Sequence, residues 1–479
     1  MPFTTLTFLL GIVIILRLIV ASIAPLHPDE AYYWLWSKHL SWGYYDHPPM
    51  VSYWIRLGTE IMGDSALGVR LLFCLSLIPL CALVMDMARR VHGLEAQNLS
   101  ALYLLSSLMI LGGMLATPDA PLVLFFTLSL RMLLRLLETG DGRYWYGFAI
   151  SACLCVLSKY TGLFLGIGVI AWLIFTPSQR HWLRSRDFWL AGLLFLILMT
   201  PHLLWLGENH FVSVIKQFSR LGSFDPKPAH PALFFLEQLV LLNPFLLIAL
   251  ILAFSQIWSQ RHKIVSICLV PKTWLLLILS LPMGFVLIIQ SLKGTVLANW
   301  SAPLFVPIII ALACLMTTWR TKTAYWLRPM IVSGGLLICG FGLTLMGLSQ
   351  GGRPLPSPLG AGQFWPPVVT EIQEAMTANR LDTVIITDYD LMGSLQWSGL
   401  KNNSYVYAGF ERDRYKWQQD EPSGPVIIVH KAHQIIPHLN CYEDVSELKH
   451  IVRNPKIRTS RLILLRARLK PNCLAKRSL

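Results

Sequence analysis

The sequence predicts a polytopic α-helical membrane protein of about 11 spans, followed by a small C-terminal α/β domain. Composition and run length carry that prediction. Hydrophobic residues fill 54% of the 479 positions and charged residues only 14%, with a mean hydropathy of +0.54. A soluble chain usually carries about 25% charged residues. The apolar residues also fall in long runs, and roughly 20 such residues cross a bilayer as a helix. This excludes a cytosolic globular enzyme and a disordered or collagen-like chain. Lys and Arg outnumber Asp and Glu by 40 to 26. They are interspersed among the apolar runs, so topology rather than nucleic acid accounts for many of them.

Spans are predicted over 6–24, 66–87, 98–116, 120–137, 144–158, 160–176, 188–206, 233–258, 274–290, 301–318 and 329–349. Every second link is basic: Arg89 and Arg90, then Arg143, then Arg180, Arg184 and Arg186, then Arg261, Lys263 and Lys272, then Arg320, Lys322 and Arg328. Positive charge stays inside, which puts the N-terminus inside and the C-terminal segment outside. Ala21-Ser-Ile-Ala24 resembles a signal-peptide cleavage site. The residues before span 1 carry no positive charge, so an uncleaved anchor is expected.

Composition changes at Ser349-Gln-Gly-Gly-Arg-Pro354. The expected domains are therefore 1–349 in the membrane, with a first outer loop at 25–65, and 350–479 as a soluble outer domain. In the latter, Val368–Asn379 reads as a helix, and Thr383–Thr387, Pro425–His430 and Arg461–Leu469 read as strands. Residues 449–479 hold ten Lys and Arg and no acid, which reads as a solvated or phosphate-contacting face. Seven of nine cysteines lie in apolar runs, where Cys is usually a small core residue. Cys441 and Cys473 lie in the polar tail, and a disulfide between them stays open.

The acids of the membrane region cluster at span ends on the outer side, where ionisable groups are costly unless paired or functional. The first outer loop is the densest stretch, with His27-Pro-Asp-Glu30 and then Tyr44-Tyr-Asp-His-Pro-Pro49. Adjacent Asp29 and Glu30 cannot share a helix face, so one can enter a cavity while the other braces a neighbour. Pro28 followed by acids is equally a plain helix start. Pro49–Met62 reads as an amphipathic surface helix anchored by Tyr53 and Trp54. Asp119 lies in the turn Thr117-Pro-Asp-Ala-Pro121, either as an N-cap or as a functional acid. Lys159 falls between two apolar segments and either snorkels to headgroups or binds a substrate phosphate. Lys216, Arg220 and Lys293 allow the same two readings.

Together with Val69-Arg-Leu71, Ser158-Lys-Tyr-Thr161 and Asn299-Trp300, these motifs resemble bacterial GT-C membrane glycosyltransferases. More narrowly, they are similar to the dolichyl-phosphate-mannose-protein mannosyltransferase-like superfamily, which includes the lipid A aminoarabinose and galacturonic acid transferases. The resemblance spans about residues 1–350 and implies a GT-C fold. It also implies an inverting transfer from a polyprenyl-phosphate sugar donor at the periplasmic face of the inner membrane. Asp29, Glu30 and Asp119 would form the catalytic group. Asp29 would act as general base, Glu30 would support the loop, and Asp119 would brace the acceptor side. Lys159, His47, Arg220 and Lys293 would bind the donor phosphate, and Tyr44, Tyr45, Tyr160, Asn299 and Trp300 would shape the pocket.

In the aminoarabinose transferases an acid and a lysine occupy the place of Asp46-His47, and the acid helps hold a metal. Their second metal-binding histidine aligns near Gln217, which leaves a divalent metal at Asp46 and His47 in doubt. Basic side chains can neutralise a single phosphate, so no cofactor is required. The expected partners are the lipid-linked donor, membrane lipids and a glycolipid acceptor, with lipid A or lipopolysaccharide leading and protein O-glycosylation second. A lipid-linked saccharide transporter or flippase is the alternative of another class. It would place its charges near the bilayer midplane, often with inverted repeats. Here they gather at one face.

Overall fold

The computed structural model describes residues 3–222, 231–243, 261–294, 296–318, 331–337, 364–400, 403–406, 424–433, 439–453 and 461–470, with a few isolated positions besides. Helix α1 spans Phe3–Ile23, α2 Pro28–Lys38, α3 Met50–Met62, α4 Ala66–Leu75, α5 Leu77–Leu105, α6 Met109–Gly112, α7 Asp119–Thr139, α8 Arg143–Ser158 and α9 Phe164–Phe175. Then follow α10 Arg186–Glu208, α11 Val212–Gly222, α12 Pro231–Leu242, α13 Arg261–Cys268, α14 Pro271–Lys293 and α15 Ala302–Thr318. Among the described residues six helical stretches are long and apolar enough to cross a membrane, or seven if the bent pair Tyr160–Phe175 and Pro177–Arg184 counts as one. The predicted spans 233–258 and 329–349 lie partly outside the described residues, as does the predicted domain boundary near 349.

Local chemistry explains where the spans break. Ala66–Leu105, α4 and α5 end to end, is a helical stretch of 40 residues, and at 1.5 Å per residue that reaches about 60 Å, twice the hydrocarbon core. His92 (φ −147°) and Gly93 (φ 84°) interrupt it, at the basic link expected between the second and third spans. Glycine bears that left-handed φ without a Cβ clash. Helix α8 ends at Ser158, Lys159 is extended (φ −159°, ψ 140°), and a 3-10 turn over Tyr160–Leu163 leads into α9. The fifth and sixth predicted spans therefore meet at Lys159.

Helix α3 forms where the amphipathic pattern predicts it, but Trp54 does not anchor it to an interface. Its ring is 8% exposed and packs edge-on against Phe73 at 5.3 Å. The aliphatic Leu57 and Ile61 take the exposed face instead.

The C-terminal domain contains α16 Trp365–Ala378, β1 Thr383–Ile386, α17 Tyr389–Trp397, β2 Asn403–Val406, β3 Gly424–Lys431, β4 Tyr442–Val452 and β5 Arg461–Leu469. The five strands lie in the order β2-β1-β3-β5-β4. Strand β1 runs parallel to β2 and β3, and β5 lies antiparallel between β3 and β4. The predicted strands are thus three of five. Two of the tail's basic residues serve the domain itself: Lys449 pairs with Glu371 at 2.7 Å, and Arg453 lies 4.3 Å over the Trp365 ring. Cys441 is disulfide-bonded, while Cys473 lies outside the described residues. The domain docks on the first loop. Ala31, Tyr32 and Leu35 of α2 share one core with Leu391, Met392 and Leu395 of α17.

Candidate functional site

Helix α2 fixes the centre of the site. His27 caps it, accepting from the Asp29 amide at 3.2 Å, while Glu30 reaches back to the His27 amide at 2.9 Å. This capping box satisfies two of the donors that a helix start leaves orphaned. It also sends the two adjacent acids in different directions. Asp29 lines a cavity, whereas Glu30 is fully buried.

Glu30 belongs to the framework, which corrects its grouping with the catalytic residues. Its carboxylate takes Arg70 Nε at 2.7 Å and Arg70 Nη2 at 2.5 Å, and it accepts from the Ala116 amide at 2.8 Å. Arg70 also donates to the carbonyls of Ala21, Ala24 and Pro25. Burial alone would raise the Glu30 pKa. The Arg70 charge and these hydrogen bonds outweigh it and hold the carboxyl below its ordinary value.

The cavity, about 700 Å³, has two unlike ends. Leu163, Phe164, Ile167 and Ile170 face Met283, Val286 and Leu287 along an apolar wall between α9 and α14. Asp29, Asp46, His47, Asp119, Lys159 and Asn299 form the polar end. There Lys159 Nζ donates to Asp119 Oδ1 at 2.6 Å, and Asn299 Nδ2 donates to Asp119 Oδ2 at 2.6 Å. Asp46 pairs with Lys216 and accepts from the Tyr32 hydroxyl at 3.0 Å. Asp29 is held differently: its carboxylate lies 3.6 Å from His27 Nδ1. Among the described carboxylates of the cavity, Asp29 is the one without a lysine partner.

Asp119 and Lys159, proposed from sequence for different roles, thus form one ion pair. Tyr160, Trp300 and His47 line the cavity, with the His47 ring 6.1 Å from Tyr33. Tyr160 joins a polar chain, with its hydroxyl 2.6 Å from Ser213 Oγ and 3.2 Å from His202 Nε2. Tyr44 is not a pocket residue. It is fully buried, stacks on Trp36 at 4.3 Å and donates to the Trp36 carbonyl. Tyr45 also lies off the cavity wall, 4.4 Å from the Lys216 ammonium in a cation–π contact. Lys293 ends α14 beyond the lining residue Gln290 and is not part of the wall. Arg220 falls within α11, but its side chain lies outside the described residues.

Lys216 and Gln217 are the residues that sequence reasoning undervalued. Gln217 Nε2 donates to the Asp46 carbonyl at 2.8 Å, so α11 closes the site from across the chain. The polar face of an amphipathic segment held that signal, but nothing local named Asp46 as its partner. The residues present do not fit a metal at Asp46 and His47. Lys216 and Tyr32 already hold the Asp46 carboxylate, an amide stands at 217, and no three His, Cys, Asp or Glu side chains converge among the described residues.

Comparison with known proteins bears on the family and the fold. Residues 46–205 match the dolichyl-phosphate-mannose-protein mannosyltransferase family. The lipid A galacturonosyltransferase RgtD of Rhizobium johnstonii is 26% identical over 394 residues, covering 79% of each chain. The crystal structure of ArnT from Cupriavidus metallidurans bound to undecaprenyl phosphate superposes with a TM-score of 0.67 at 14% identity. It covers 97% of this chain and 98% of the other. The apo form of that protein gives 0.66 at 14% identity, covering 96% of this chain and 97% of the other. The resemblance read from the sequence motifs is borne out, and the fold is the GT-C fold.

Proposed function

We propose that this chain, a membrane glycosyltransferase of the GT-C type, moves a sugar from a polyprenyl-phosphate carrier onto lipid A or a neighbouring lipopolysaccharide sugar. The observation that carries this reading is the two-ended cavity. Its apolar wall suits a prenyl chain, and its polar end holds an acid without a lysine partner beside lysine–aspartate pairs. The acceptor hydroxyl oxygen attacks the anomeric carbon as the bond from that carbon to the phosphate oxygen breaks. Asp29 takes the hydroxyl proton, and polyprenyl phosphate leaves with the bonding electrons. Attack opposite the leaving group inverts the anomeric centre. A positioned carboxylate provides base catalysis, and the ammonium group of Lys159, which lines the cavity, stabilises charge on the departing phosphate. The face carrying the sheet domain is then periplasmic and the membrane the inner one.

Lipid A as acceptor is supported by the likeness to a lipid A galacturonosyltransferase over most of both chains. Mass spectrometry of lipid A and core from cells with and without the gene tests it. Loss of a single glycosyl mass on deletion is the expected result. Unchanged glycolipids would remove this acceptor and direct the search to membrane glycoproteins.

Two further outcomes follow from the polar end. Lys159→Gln removes the ammonium nearest Asp119 and leaves that carboxylate without its ion partner, so the wall becomes more negative. The donor KM should rise about tenfold or more, since a charge-assisted contact contributes roughly 1.5–3 kcal/mol. An unchanged KM would place the phosphate elsewhere. Because Lys216 already occupies Asp46, prolonged chelator dialysis of the purified enzyme should leave kcat unchanged. Loss that a divalent cation restores would show a metal in use.

A further inference from the structure

We propose that the sheet domain sets the position of Asp29 through a backbone contact at Gly393, making Gly393 a positioning residue for sugar transfer. This deepens the reading above and rests on Asp29 as the base.

Gly393 sits in α17, against the spine of α2. A Cβ added there would lie 2.5 Å from Tyr32 N, 2.7 Å from Ala31 C and 2.8 Å from Tyr32 Cα. These are main-chain atoms of a helix, so no rotamer change can relieve the contact. Only separation of the two helices can. Reaching the 3.4 Å at which ordinary contact begins requires a shift of about 0.9 Å. The edge-on pair Trp34 and Trp397, 5.1 Å apart, flanks the same joint.

Helix α2 is short, and its residues divide the work. Asp29 and Tyr33 line the cavity, and the Tyr32 hydroxyl holds Asp46. The Glu30–Arg70 pair ties the helix to the membrane bundle, while Gly393 fixes its other side. Every described residue lining the cavity lies between Asp29 and Trp300. Among the described residues, the sheet domain therefore reaches the chemistry through α2. A displacement at Tyr32 is passed to Asp29 three residues away within one rigid helical turn.

The test compares purified full-length Gly393→Ala, Gly399→Ala, Trp397→Ala and Asp29→Asn by steady-state kinetics with a polyprenyl-phosphate sugar donor. A misplacement of about 1 Å can cost on the order of 100-fold in rate, so Gly393→Ala should lose at least about tenfold in kcat. Its donor KM should stay within about twofold, since the phosphate site is intact. Gly399 has φ +106° and nothing within 4 Å of an added Cβ. An alanine there strains the same domain without touching α2, so its Tm should fall while kcat holds.

Normal kcat in folded Gly393→Ala overturns the proposal. So does an equal kcat loss in Gly399→Ala, which would make domain stability the cause. If Gly393→Ala fails to fold, Trp397→Ala decides by loosening the joint without a clash. A fall in kcat at constant KM supports positioning, and wild-type kcat rejects it. Wild-type kcat in Asp29→Asn instead overturns the base assignment, separately from the fate of Gly393.

Discussion

Replacing Asp29 with asparagine should lower kcat by about 10² to 10⁴, the range that a positioned general base contributes, while polyprenyl-phosphate binding stays nearly unchanged. Asparagine keeps the size of the side chain and removes its proton affinity. The His27 cap on the Asp29 amide survives, because it uses the main chain rather than the carboxylate. The neighbouring acids cannot substitute easily, since Asp46 is paired with Lys216 and Asp119 with Lys159. Single-turnover kinetics with a lipid-linked donor, beside a direct binding assay for the lipid phosphate, separate the two effects. A folded Asp29→Asn enzyme with native kcat would show that another group takes the proton.

The largest stability loss is expected at the Glu30–Arg70 pair. Arg70 makes five hydrogen bonds: two to Glu30 and one each to the carbonyls of Ala21, Ala24 and Pro25. Its side chain is 1% exposed and that of Glu30 0%. Removing one partner of such a pair strands the other charge, at a cost of about 3–5 kcal/mol. Glu30→Gln and Arg70→Met should therefore each sharply lower the unfolding temperature of the solubilised protein. The double variant should be less damaged than the two losses added together, because no buried charge remains. Strict additivity would mean that the two groups do not act as a pair.

The pH dependence has a definite sign. A carboxyl whose pKa is lowered on folding contributes its stability above its unfolded value, and loses it as pH falls through the folded value. The Glu30 contribution should be complete at pH 7 and persist to about pH 4.3, the ordinary glutamate value. It should decline only below that. Wild-type melting should consequently show an acid-side decline that Glu30→Gln lacks.

Much of this fold was legible because apolar runs of bilayer length and basic links obey simple solvation rules. Strands β1, β3 and β5 were visible for a related reason, since all three carry buried apolar runs. Strand β4, Tyr-Glu-Asp-Val-Ser-Glu-Leu-Lys-His-Ile-Val over 442–452, is an edge strand exposed along most of its length. Its pattern has no buried face to report. Helix α17 was missed because it buries residues mainly through its contact with α2, and sequence alone does not reveal that partner.

At the site, Asp29, Asp119 and Lys159 stood out as costly charges at span ends. Their residue types did not tell which carboxylate each cation would own. Tyr44 was misassigned because an aromatic residue in a polar loop reads alike whether it faces a substrate or a stacked Trp36. Lys216 lies 170 positions from Asp46, and only the folded chain brings the two together.

The Lys159–Asp119 pair has a consequence for turnover. A sugar-linked phosphodiester carries one negative charge, whereas the lipid phosphate left after transfer carries up to two near neutral pH. Bare lysines would grip that product more tightly than the incoming donor, and the enzyme would stall on its own waste. On the proposed chemistry, a phosphate reaching Lys159 would have to displace Asp119, which could reclaim the ammonium afterwards. Asp119 would thereby act as an internal competitor, trading some donor affinity for clearance of the spent carrier.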